Sequence, residues 1–218
     1  MAVSYKAYKD GTKELRGDIE DFGIKVVNKG NRVIEEPWCV NGTFFWHDSK
    51  GNTYPTSILV ANGKTYRGQA NHLPAPQSVF IIYKDNTVGM KRIRNIEELD
   101  SNKIKIAIGG VGLRNTLDKT FKYSPVTEGF KGSYADVLRK TSKTVVGYNK
   151  TNNKIYLLAR KNITHGNLIK LIADNSTGEA YDIAISVDGG GSTFMNNADK
   201  MIVYGDGRRI HNILGFNL

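Results

Sequence analysis

Short apolar runs broken by glycine, asparagine and aspartate fill most of this chain, and their period is closer to two than to 3.6. Residues 5–8 alternate ahead of an Asp10-Gly11 turn, and residues 23–27 and 32–40 read as further strands, the latter with Pro37 at an edge. Residues 57–61 end in Asn62-Gly63, a hairpin signal into residues 64–66. Residues 78–83 and 87–90 form a second hairpin around Asp85-Asn86, and residues 143–148 and 154–159 a third. Residues 103–108 predict a strand running into Gly109-Gly110-Val111-Gly112, which is read as a turn; with Asn115 following, the spacing is not that of a dinucleotide fingerprint. Residues 96–101 suggest one helical turn. Residues 115–134 have no period, as in a binding loop. One segment has helical spacing: Thr164 as cap, Leu168, Leu171 and Ile172 on one face, and Gly178 as the stop. Strands over 182–187, 200–204 and 208–216 close the chain. The sum is an α+β fold with a mixed, mainly antiparallel sheet and one main helix before the Asp-Gly-Gly-Gly-Ser strand, in a single domain over residues 1–218.

Composition narrows the partners. The net charge of +10 draws anionic ligands. The lysines are dispersed, without a basic run, and the aromatics cluster as in a core, which argues against nucleic acid and for an anionic small molecule. The only cysteine is Cys39, so no internal disulfide forms. The first residues lack the apolar stretch of a signal peptide, and no apolar run approaches the ~18 residues of a membrane span. The expected location is the cytoplasm, or a virion if a phage encodes the protein. His47-Asp48 reads as a surface turn, Glu128 as a surface carboxylate, and Trp38 and Phe44 as core. No His, Asp, Glu or Cys set has ligand spacing, so no metal or cofactor is expected.

The densest chemistry lies at Asp188-Gly189-Gly190-Gly191-Ser192-Thr193. A buried strand ends there in one carboxylate, three glycines whose N–H groups can cradle an anion, and two hydroxyls. A turn needing glycine only for its geometry is the plain alternative. Asn41, an amide where the aromatic run of residues 38–46 breaks at Gly42, suits a turn or a ligand.

Together these motifs resemble the phosphodiester glycosidase family, of the mannose 6-phosphate uncovering type. Asn41-Gly42-Thr43-Phe44-Phe45 is similar to an early family element. Residues 143–195 look like its core, ending in Asp-Gly-Gly-Gly-Ser-Thr, and Arg208 to Asn212 resembles its closing strand. The likeness spans roughly residues 38–216, and this small, basic chain resembles a bacteriophage or bacterial member. It implies hydrolysis of a sugar-1-phosphodiester to sugar and phosphate monoester. Asp188 would then be nucleophile or base. Lys143, Arg208 and the Gly189, Gly190 and Gly191 backbone would hold phosphate, Thr144 would contact substrate or phosphate, Ser192 and Thr193 would bond phosphate or sugar, and Asn41 and Asn212 would hold sugar hydroxyls. Members usually have arginine at the position of Lys143; lysine keeps the charge but loses the bidentate fork, and Arg139 lies four residues earlier. That departure leaves a second reading open: a non-catalytic binder of a nucleotide or sugar phosphate.

Overall fold

Alternate residues of the longest strands face two different cores, which is why those strands read as nearly continuous apolar runs. The computed structural model describes residues 3–27, 35–66, 75–131, 137–173 and 180–218. In chain order these form β1 (Ser4–Ala7), β2 (Lys13–Asp18), β3 (Phe22–Val26), β4 (Cys39–Asn41), β5 (Phe45–His47), β6 (Thr53–Pro55), β7 (Leu59–Ala61), β8 (Lys64–Tyr66), β9 (Gln77–Tyr83), β10 (Val88–Ile93) and β11 (Ile104–Asn115). Then come β12 (Thr141–Asn149), β13 (Lys154–Ile163), helix α1 (His165–Ala173), β14 (Ile183–Ser186), β15 (Phe194–Asn196), β16 (Met201–Val203) and β17 (Asn212–Phe216).

The larger sheet runs β1-β2-β13-β12-β14-β11-β7-β8, with β9 also on β11 and β10 on β9. A smaller sheet runs β16-β15-β4-β17-β3, and β5 pairs with β6 alone. One face of the large sheet packs Leu157, Val146, Ile185, Ile108 and Phe80 against Val40, Leu214, Met195 and Phe216 of the small sheet. The opposite face receives Leu168 and Ile172 of α1 over Val145, Leu158, Tyr156 and Ala184. Thr164 starts that helix, its hydroxyl accepting from the Asn167 N–H at 3.3 Å.

Several expectations are revised. Every pairing between described strands is antiparallel, so no parallel component of a mixed sheet is found among the described residues. The run from Gly109 to Gly112 does not turn but stays within β11. A Cβ at Gly109 would overlap Ser57, at Gly110 the Ser186 carbonyl, and at Gly112 Ser78. Glycine serves close lateral approach there, not chain reversal. Strand β2 escaped the pattern because its inward Glu14 is a charged residue, satisfied by the Tyr181 hydroxyl at 2.7 Å. Residues 208–211 precede β17 instead of belonging to it, so Arg208 lies on a loop. Glu128 is fully buried: it accepts from Arg92 Nη2 at 2.8 Å, Ser78 N at 3.0 Å and Gly112 N at 3.2 Å, and so fastens the irregular segment after β11 to the sheet. The expected Gly178 stop and residues 32–34 of the expected 32–40 strand lie outside the described residues. Among the described residues no helix is long and apolar enough to cross a membrane.

Candidate active site

Strands of both sheets meet at Asp188: β14 runs into it, and β12 and β4 flank it. Val187 N donates to Thr144 O at 3.0 Å, which closes the β12 side, and Asp188 N donates to Gly42 O at 3.1 Å, which closes the β4 side. Beyond Asp188 the chain enters a single 3-10 turn, Gly190–Ser192. Gly190 has φ +58°, in the left-handed region that glycine adopts without strain. Gly191 has a different constraint: a Cβ there would overlap the Arg208 guanidinium.

The turn opens on a cavity of about 290 Å3 walled by Phe44, Val137, Thr141, Lys143, Asp188, the three glycines and Arg208. Asp188 Oδ1 accepts from the Gly189 N–H at 2.8 Å. Burial raises the carboxyl to about 6, against the opposing pull of the Ser192 hydroxyl, the Gly189 N–H, Arg208 and Lys143. The group is therefore mostly ionised at neutral pH yet close to a proton-transfer range.

Lys143 is only 2% exposed. Its ammonium donates to Thr141 Oγ1 at 2.5 Å, Val137 O at 2.7 Å and Arg139 O at 2.9 Å. An ammonium has three protons, so all three are committed to the 137–141 wall. Lysine is thus a post supporting the wall and supplying charge, not a fork laid on an anion; Arg139 contributes its carbonyl to that post. Burial lowers Lys143 to about 8, opposed by the Asp188 charge. Arg208 is the more available cation, with 54% of its side chain exposed. Asp206 grips one edge of it: Nε to Oδ1 at 3.0 Å and Nη2 to Oδ2 at 2.6 Å.

The remaining sequence-selected residues fall behind this front. Asn41 is 1% exposed, and its amide is engaged by Asp188 O, Thr144 and Phe194 N. Thr144 is fully buried. Asn212 Oδ1 accepts from Thr43 N at 3.1 Å, and its Nδ2 is buried without a partner. Gly42 packs so tightly on Asn212 that a Cβ would overlap its amide oxygen. Thr193 is fully buried with its hydroxyl unpartnered, whereas Ser192 reaches Asp188. Asn41, Thr144, Asn212 and Thr193 thus support the site from below.

Sequence reasoning missed Asp206 and took Phe44 as core alone, whereas Phe44 lines the cavity 5.6 Å from the Phe130 ring. Asp206 left one signal: an aspartate two positions before an arginine can accept the arginine N–H in an Asx turn, as here at 3.0 Å. His165 was also missed. It is buried with both ring nitrogens unpartnered, and burial followed by the Lys143 charge lowers it to about 4. Among the described residues no group of three or more His, Cys, Asp or Glu is placed to hold a metal.

The fold is similar to that of the zebrafish N-acetylglucosamine-1-phosphodiester alpha-N-acetylglucosaminidase catalytic domain, a structure auto-inhibited by its pro-peptide. The TM-score is 0.68 at 15% identity, over 100% of this chain and 82% of that one. A hypothetical protein from Synechocystis gives 0.58 at 10% identity over 98% and 61% of the respective chains. A protein from Burkholderia pseudomallei described as exported gives 0.60 at 10% identity over 94% and 73%. At such identities these likenesses speak to fold alone. A search of the curated proteins found no match. The family model for phosphodiester glycosidases matches residues 37–217, which span the Asn41-Gly42 element, the Asp188 turn and the Arg208 loop. This chain therefore belongs to the phosphodiester glycosidase family, whose members are glycosidases acting on phosphodiesters.

Proposed function

We propose that this chain hydrolyses a sugar-1-phosphodiester at the bond between the anomeric carbon and the phosphate oxygen, releasing the sugar and a phosphate monoester. The observation carrying the reading is the convergence of one ionised carboxylate, Asp188, with Arg208, Lys143 and a glycine turn around one cavity. A departing phosphate monoester has a second pKa of about 6 and needs no dedicated acid. It needs positive charge and N–H donors around its oxygens, which Arg208 and the Gly190 and Gly191 N–H groups supply, with Lys143 adding charge from behind. Asp188 delivers oxygen to the anomeric carbon, by direct attack or through an activated water. Phe44 offers a face for the sugar ring, and Ser192 orients the carboxylate.

The test is turnover of a panel of synthetic sugar-1-phosphodiesters in 18O-water. Label in the sugar and none in the phosphate supports C–O cleavage; label in the phosphate overturns it. Heating the incubated protein and recovering only unchanged ligand supports a binder instead.

A further inference from the structure

Two cations and two carboxylates share the cavity and its rim: Lys143 and Arg208 against Asp188 and Asp206. With Asp188 ionised their charges cancel. Asp206 lies outside the cavity wall, yet its grip is specific. It holds the Nε–Nη2 edge of Arg208 with three contacts of 2.6–3.2 Å. The Asp206 N–H is in turn tied to Gly191 O at 3.0 Å. The guanidinium is thereby laid against Gly191, where any Cβ would displace it. Its two Nη1 protons and the second Nη2 proton are left for an incoming anion.

Resting on the reaction proposed above, we infer that Asp206 is a specificity-determining residue: it matches the cavity to a singly charged phosphodiester and disfavours the doubly charged monoester that cleavage leaves. A substrate diester carries one negative charge, whereas its monoester product carries nearly two above pH ~6. In a charge-balanced cavity the second charge gains little, so product departs. Removing the Asp206 charge leaves a net positive site, and the gain falls mainly on the dianion.

The test measures equilibrium binding of dimethyl phosphate and methyl phosphate at about pH 7.5, where they are mono- and largely dianionic, by NMR titration at low salt. In the unmodified protein the two should bind within about threefold of each other. Asp206→Asn should tighten methyl phosphate about fivefold or more, with dimethyl phosphate changed about twofold at most, and added salt should shrink the difference. Asp206→Glu should restore the original ratio. If Asp206→Asn weakens both anions equally, its role is only structural and the inference fails. It fails equally if the unmodified protein already prefers methyl phosphate tenfold, or if neither anion binds. Because binding is read without turnover, a protein that cleaves no sugar phosphodiester can still show this ratio, and one that cleaves can lack it.

Discussion

Asn41 Nδ2 donates to the main-chain oxygen of Asp188 at 2.7 Å, and its Oδ1 accepts from Thr144 Oγ1 at 2.7 Å. One amide, on the small sheet, thereby fixes two strands of the large one at the point where the carboxylate emerges. Asn41→Asp removes the donor and sets a second carboxylate close to Asp188. It should cost about 3 kcal/mol in urea unfolding and lower kcat/KM even where the protein is fully folded. An unchanged unfolding midpoint would mean that the two sheets are held elsewhere.

Asp188→Asn should abolish turnover and raise stability at neutral pH. The folded carboxyl titrates at about 6, above its ordinary 3.8. Ionising it therefore costs the folded state nothing below about pH 4 and the full amount above about pH 6, up to about 3 kcal/mol. The neutral amide escapes that cost. Thermal unfolding at pH 5 and pH 8 checks the sign: the variant's advantage should be larger at pH 8.

Activity should follow a bell-shaped pH profile. Asp188 must lose its proton, which sets an acid limb near 6, and Lys143 must keep its charge, which sets an alkaline limb near 8. Lys143→Arg should remove the alkaline limb, because arginine stays charged, and leave the acid limb in place. Persistence of the alkaline limb in that variant would assign it to another group.

Adjacent glycines should separate under substitution. Gly190→Ala meets no atom within 4 Å but strains a φ of +58°, so it should cost about 1 kcal/mol of stability and leave phosphate affinity nearly intact. Gly191→Ala pushes directly on Arg208 and should weaken phosphate binding about tenfold with little loss of stability. Titration with inorganic phosphate beside thermal melts distinguishes the two.

How far the sequence discloses this depends on whether a residue's role is local. The Asp188 turn is legible because an apolar strand, a carboxylate and three glycines are contiguous. The hairpins at Asn62-Gly63 and Asp85-Asn86 are legible because turn chemistry is local. The extended course of Gly109–Gly112 is not, since its reason is the proximity of Ser78 and Ser186 from two other strands and of Ser57 from the loop before β7. Nor is the burial of Glu128, which depends on Arg92 and two distant N–H groups. Lys143 illustrates the same limit within the site. Its charge is evident from the sequence, but the commitment of all three protons to the 137–141 wall arises only from the fold.

The ties that set Asp188 in place have a consequence for how the protein comes to be active. Asn41 to Asp188 spans 147 positions, Thr43 to Asn212 spans 169, and Thr144 to Asn41 spans 103. Each contact closes a long loop, and such contacts form only after the local hairpins that shorten the effective chain. Refolding should therefore restore far-ultraviolet circular dichroism before it restores anion binding. During synthesis the cavity has no complete precursor until residue 212 has left the ribosome. Competence for chemistry is in this sense the last property the chain acquires.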